Sequence, residues 1–270
     1  MAVLNVSYMS YCLKRYVNFK VILPIEDTKT MSSNPADKPE KYKTLYLLHG
    51  YSGNSGDWLY GSRIFKIARD RNLAVVMPDG ENSFYIDNRE TGELYGTYVG
   101  EELIKITRKM FPLSEKREDT FLGGLSMGGF GSLLTGSRFA EQYSGIIILS
   151  GAFLLDEMKQ HKSYPFEARQ ALEHLLLNAD GSCDKEKDPY IMANEALQKG
   201  MLPPIYMACG TEDELYKYSV QMRDALTDVG ADVTWDEGQG AHEWTFWDCY
   251  IEKAIDWWLK KVQRNKENRL

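Results

Sequence analysis

From residue 44 onward, short apolar runs of strand length alternate with segments of helical periodicity, and this alternation constrains the fold more than any other feature. The runs are TLYLLHG (44–50), NLAVVMP (72–78), DTFLGGL (119–125), GIIILS (145–150), PPIYMACG (203–210) and ADVTWDEG (231–238). Helical patterns fall at 58–69, 99–110, 127–139, 213–230 and 243–262. Such a βα alternation predicts a mostly parallel central sheet with helices on both faces. Two earlier segments, 2–8 and 15–23 (RYVNFKVIL), read as a hairpin at the sheet's edge, followed by an exposed polar loop over 27–41, which brings the total to about eight strands. Only residues 153–200 break the rhythm. They carry helical segments separated by Pro165 and the DGSCDKEKDP loop, and read as a cap-like insertion after the sixth strand. With 270 residues, 43% of them hydrophobic, residues 1–270 can form one α/β domain around a sizeable core.

Composition removes several function classes. A formal charge of −7, with no basic patch beyond the KKVQRNKENR tail, argues against nucleic acid as a partner. No stretch approaches the roughly 20 apolar residues of a membrane span, and the opening MAVLNVSYMSYCLKR lacks the pattern of a signal peptide. The expectation is a soluble cytoplasmic protein that is not bound to a membrane. Cys12, Cys183, Cys209 and Cys249 show no metal-ligand spacing and read as reduced structural thiols. The sequence is compatible with a homo-oligomer but does not set the state.

Ligands in open α/β sheets collect beyond the carboxyl ends of the strands, so the residues just past each run carry the most information. After the fifth run stands GLSMG, with Gly124, Ser126 and Gly128 at alternate positions. A nucleophilic serine must stand clear of the sheet on a sharp strand-to-helix turn, and glycines two residues to either side relieve the crowding. The pattern arises by chance in roughly one chain of this length in ten, so partners must decide. The alternative is a packing turn whose serine caps the helix.

A serine hydroxyl needs a base, and the base needs a carboxylate to fix its tautomer and stabilise its cation. Of four histidines, His49 precedes the glycine that ends the third run and packs beneath the following loop, while His161 and His174 lie in the insertion. His242, in GQGAHEWTFW between the last strand and the last helix, has the position of a base. Past the seventh run, Glu212, Asp213 and Glu214 offer a carboxylate; Asp213 is preferred for its shorter side chain, with Glu212 as the alternative and a helix N-cap as the competing role. The chain order Ser126, Asp213, His242 is that of the α/β-hydrolase arrangement. Backbone N–H groups of Tyr51, in the HGYSG loop, and Met127, after the nucleophile, are the expected oxyanion donors.

The segments LLHGYSGNSGDW, GGLSMGGFGSL, ACGTEDELY and GAHEWTFW, with the opening strands, resemble the esterase D-like branch of the α/β-hydrolases, notably bacterial tributyrin-type, acetyl and feruloyl esterases. The resemblance spans nearly the whole chain and is weakest over 153–200. It implies Ser126 as nucleophile, His242 as base, Asp213 as its orienting acid and the N–H groups of Tyr51 and Met127 as oxyanion hole, with no cofactor or metal. The related formylglutathione hydrolases carry an SGLTC-like stretch where this chain has HGYSG, and the related mycolyl transferases carry a secretion signal. The expected activity is therefore hydrolysis of small acyl or hydroxycinnamoyl esters, including those of plant cell-wall sugars, through an acyl-enzyme. An S-formylglutathione-type thioesterase, a non-catalytic binding protein on the same fold and an acyl transferase are the alternatives. Trp58, Tyr85 and Phe153 are expected to contact substrate, and the Asp87–Asn88 segment with Arg89 and Glu90 reads as a solvated loop able to meet sugar hydroxyls.

Overall fold

The computed structural model describes residues 1–25, 41–160 and 169–267. Eight strands form one sheet: β1 (Ala2–Met9), β2 (Tyr16–Leu23), β3 (Lys43–Leu48), β4 (Leu73–Pro78), β5 (Thr120–Leu125), β6 (Ile146–Leu149), β7 (Ile205–Gly210) and β8 (Val233–Gly238). Their order across the sheet is β1-β2-β4-β3-β5-β6-β7-β8. The expected edge hairpin is present, with Ala2 opposite Leu23 and Met9 opposite Tyr16, and β2 runs antiparallel to β4. All other pairings are parallel. The central strands β4, β5, β6 and β7 are buried along their whole length, as strands covered on both faces must be.

Helices cover both faces: α1 (Asp57–Gly61), α2 (Ile64–Asp70), α3 (Leu103–Met110), α4 (Met127–Arg138), α5 (Leu155–Lys159), α6 (Arg169–Leu176), α7 (Pro189–Gln198), α8 (Tyr216–Asp228) and α9 (Trp244–Glu267). Two separate apolar clusters result. One holds Tyr46, Leu122, Phe130, Ile148 and Met207, and the other Leu45, Phe121, Ile147, Tyr206 and the α9 residues Ile251, Ile255 and Trp258. Alternate residues of single strands divide between the two, which is the period-2 signature of a sheet buried on both sides.

Two elements differ from the sequence reading. The helix expected at 58–69 is broken at Ser62, whose backbone is extended and whose hydroxyl bonds both the Trp58 carbonyl at 2.6 Å and the Ile64 N–H at 3.2 Å. The Trp244 ring lies against Gly61 and leaves no room for a side chain there. The helix expected from residue 99 begins earlier, at Tyr95–Thr97, and passes through a wide π-turn, Tyr98–Glu102, before α3. Buried Glu102 on that turn accepts from the Ser10 hydroxyl and from the N–H groups of Tyr11 and Cys12, each at 2.9 Å, and so ties the β1–β2 connection to the helical layer. Within residues 153–200, α7 is capped by Asp188, whose carboxylate accepts from the N–H groups of Tyr190 and Ile191. The polar stretch at 26–40 and the segment around Pro165 lie outside the described residues.

The ring of Trp258 stacks on Phe121 of β5 with centroids 3.7 Å apart, and its indole N–H donates to the Ser144 hydroxyl at 2.9 Å. Trp258→Ala removes that stack from a fully buried position. It is expected to cost about 3–5 kcal/mol and to lower the thermal midpoint by roughly 10 °C, as read by circular dichroism.

Candidate active site

The turn after β5 is built by close backbone contact. A Cβ on Gly124 would lie 2.5 Å from the Gly128 carbonyl oxygen, and one on Gly128 would lie 2.6 Å from the carbonyl oxygens of Leu48 and His49. Only glycine fits at both places. Between them Ser126 adopts φ 53° and ψ −117°, a conformation costly for a residue with a side chain and held here by three backbone bonds. Its N–H donates to the Leu149 carbonyl at 2.8 Å, and its carbonyl accepts from Phe130 at 3.0 Å and Ala152 at 3.1 Å. The hydroxyl makes no side-chain cap bond to α4. Among the described residues it makes no hydrogen bond, and such contacts are often loose until substrate arrives.

The loops that carry Asp213 and His242 are joined by their backbones. Thr211 N–H donates to the Gly238 carbonyl at 2.9 Å and Glu212 N–H to the Gly240 carbonyl at 3.0 Å. Gly240 takes φ +152° in this joint, and Gly210 packs so tightly on its carbonyl that any side chain would overlap it. Asp213 is buried, whereas its neighbours Glu212 and Glu214 are exposed, so the choice between the carboxylates is made by geometry. Its carboxylate faces Nδ1 of His242 at 2.9 Å and 3.1 Å and also accepts from the Leu215 N–H at 2.8 Å. It does not cap α8, whose N-cap is Leu215. Burial opposes ionisation of Asp213, but His242, the Leu215 N–H and the Ser150 hydroxyl outweigh it and hold the carboxyl below its usual range. A charged acceptor at Nδ1 assigns the ring proton there and leaves the Nε2 lone pair free.

The His242 ring meets Trp247 edge to face, with centroids 4.8 Å apart, and the Trp247 indole N–H donates to the Ser150 hydroxyl at 3.0 Å. Ser150 and Trp247 were not singled out from the sequence as site residues, although Ser150 occupies a strand-end position.

The loop after β3 closes the remaining side. A Cβ on Gly50 would lie 3.6 Å from Ser126 Cβ, so this loop passes directly beside the serine. His49 is buried beneath it: Nδ1 bonds the Gly50 carbonyl at 2.7 Å and Nε2 accepts from the Gly80 N–H at 2.8 Å. Ser52 N–H donates to Asn82 at 2.7 Å. Met127 is the first residue of α4, where an N–H has no intrahelical acceptor and points out of the helix start. Tyr51 is half-buried, with its ring tilted against Phe84.

Two of the expected substrate contacts are corrected. Trp58 is 1% exposed, donates its indole N–H to the Leu48 carbonyl at 2.9 Å and packs edge-on against Trp244. Tyr85 is fully buried, and its hydroxyl donates to the His49 carbonyl at 3.1 Å. Both rings fold inward because their polar atoms find backbone partners there, and both support the loop after β3 rather than face a ligand. Phe153 lines a cavity of about 350 Å³ together with Phe130, Leu155, Tyr190, Tyr218 and Met222. A larger cleft of about 1070 Å³ is lined by Asp87, Arg89, Glu90 and Arg138. It lies at the far end of α4, roughly 18 Å along the helix from Ser126, too distant for an ester held there to reach the serine. Asp87 is committed to Arg138 and to Thr97, and Arg89 to Glu186 at 3.1 Å. His174 is exposed on α6, and His161 lies outside the described residues. Among the described residues no group of three or more His, Cys, Asp or Glu side chains is placed to hold a metal ion.

A family described as "Putative esterase" matches residues 13–252. The chain belongs to this esterase family. An acetyl esterase from Caldicellulosiruptor saccharolyticus is 39% identical to it over 269 residues, covering 96% of this chain and 99% of that protein. Among solved structures, the substrate-bound fluorophosphonate-binding serine hydrolase FphF of Staphylococcus aureus superposes with a TM-score of 0.81 at 28% identity, covering 95% of this esterase and 98% of that chain. The S-formylglutathione hydrolase FrmB of the same organism superposes with a TM-score of 0.80 at 28% identity over the same shares. The fold is the α/β-hydrolase fold, with the eight-stranded, mostly parallel sheet read from the sequence.

Burial lowers the pKa of His49, against the opposing pull of the Gly50 carbonyl and nearby carboxylates. The unfolded imidazole therefore binds a proton at higher pH than the folded one, and stability falls as the pH drops below the ordinary histidine value of 6.5. His49→Gln, which offers an amide donor and acceptor without a titrating proton, is expected to flatten the dependence of the urea midpoint on pH between about 7.5 and 5.5.

Proposed function

We propose that this esterase hydrolyses carboxylic esters of small acyl groups through an acyl-enzyme on Ser126, with His242 as general base and Asp213 as its orienting acid. The observations that carry the reading are the buried Asp213 carboxylate against Nδ1 of His242 and a serine on a glycine-flanked turn after β5. His242 Nε2 takes the proton of Ser126 as Oγ attacks the ester carbonyl carbon. The N–H groups of Met127 and Tyr51 receive the developing oxyanion. The imidazolium then gives its proton to the leaving alcohol, and a water activated by the same nitrogen releases the acid. Asp213 stays ionised throughout, because its pKa is held low.

Similarity to an acetyl esterase along nearly the whole chain favours a short acyl group, with acetylated sugars as a natural alcohol half. The cavity at Phe153 is the candidate acyl or alcohol pocket, walled on one side by Leu155 of α5 and Tyr190 of α7. On this reading residues 153–200 are a cap on a single hydrolase domain spanning the chain. Hydrolysis of an S-formyl thioester is the second reading, favoured by the likeness to FrmB. The four cysteines are free thiols, which suits the reducing cytoplasm we assign the protein to. No helix among the described residues is long and apolar enough to cross a membrane.

Purified protein is expected to hydrolyse aryl acetates faster than aryl octanoates and to take a fluorophosphonate label. Ser126→Ala should abolish both, and Asp213→Asn should lower kcat by roughly a thousandfold or more without loss of fold. A panel of acetylated xylo-oligosaccharides, methyl ferulate and S-formylglutathione ranks the substrate classes, and turnover of none of them overturns the proposal.

A further inference from the structure

Ser150 is the first residue after β6, fully buried, with φ +48°. Left-handed backbone favours glycine, so a serine retained there points to a use for its side chain. Its N–H is already spent on the Ala208 carbonyl at 2.8 Å, which fixes the residue between β6 and β7. The hydroxyl oxygen accepts the Trp247 indole N–H at 3.0 Å. An indole nitrogen can only donate, so the single hydroxyl proton of Ser150 remains free to be given elsewhere. The Ser150 hydroxyl is also among the groups that hold the Asp213 carboxyl below its usual range. The Cys209 thiol, 3.9 Å away, is a weak donor to the same oxygen and does not compete for the proton. One buried hydroxyl thus anchors the tryptophan whose ring meets the imidazole at 88°, the same imidazole that faces Asp213 through Nδ1.

We propose that Ser150 is a positioning residue of the hydrolytic site, whose hydroxyl fixes Trp247 against the His242 ring, so that the imidazole keeps Nε2 directed at Ser126. The inference rests on the Ser126, His242 and Asp213 reading above. It extends that reading to the residues that limit how far the imidazole can tilt. The ring has a side-chain exposure of 27%, so solvent alone leaves it room to rotate, while the carboxylate beneath it has none. The Trp247 ring, 4.8 Å away centroid to centroid, is the side-chain contact that bounds this rotation.

The test uses the full-length protein and an aryl acetate. Ser150→Gly removes the hydroxyl while accepting the left-handed backbone, and Ser150→Ala removes it with the strain retained. Trp247→Phe keeps a ring and deletes the N–H. All three are expected to lower kcat roughly ten- to a hundredfold with KM changed by less than about twofold. The rate of fluorophosphonate labelling should fall in parallel. Ser150→Gly combined with Trp247→Phe should be no worse than the poorer single variant, since both break one link. Wild-type kcat in Ser150→Gly, or losses that multiply in the double variant, overturns the proposal. Trp247→Phe keeps it testable should the Ser150 variants fold poorly, and wild-type kcat there overturns it equally. Ser126→Ala separates the two levels: an inactive Ser126→Ala beside a fully active Ser150→Gly removes only the positioning role, whereas turnover by Ser126→Ala removes the hydrolytic reading and this inference with it.

Discussion

Backbone packs on backbone at the end of β5 with no space for a side chain, and the rest of the site is arranged around that contact. Gly124 and Gly128 let the strand turn into α4 within one residue, and Gly128 rests on the carbonyls of Leu48 and His49 at the end of β3. The same contact therefore sets two things. It forces Ser126 into a conformation that lifts its side chain from the sheet, and it locks the start of the following loop beside it. The left-handed strain at residue 126 is offset by its backbone bonds to Leu149, Phe130 and Ala152, which come from strand, helix and loop alike.

Asp213 and His242 are brought together by a different device. A buried carboxylate is tolerable only when its charge is met by donors, and Asp213 has the imidazole and a backbone N–H. The two loops that carry the pair are zipped to each other through Thr211, Glu212, Gly238 and Gly240. His49 illustrates the opposite use of the same side chain. It is buried and neutral, with both nitrogens engaged by backbone, and it props a loop instead of exchanging protons.

Much of this was legible in the sequence because it depends on residue type at fixed places. The strand-length runs, the glycines around Ser126 and the histidine after the last strand follow from local rules, and the choice of Asp213 over Glu212 followed from side-chain length and agrees with which of the two is buried. What was hidden depends on where side chains turn after the backbone is fixed. Trp58 and Tyr85 lie in loops near strand ends, as ligand contacts do, yet each found a carbonyl in the interior. The break at Ser62 depended on a tryptophan far away in sequence, Trp244. Ser150 looked like any polar residue after a strand until its indole partner, supplied by α9, was in place.

Helix α9 runs from the loop of His242 to the middle of the sheet. Near its start Trp247 touches the imidazole, and further along Trp258 lies flat on Phe121 of the strand that ends in Ser126. Arg71 of the segment after α2 clamps the outer side of the helix through Asp256 at 2.6 Å and Glu252 at 3.0 Å. His242 and Ser126 are thereby bolted to a common girder, and their relative placement is inherited from packing well away from either side chain. The surrounding loops can then change in length and composition without disturbing the frame that carries both.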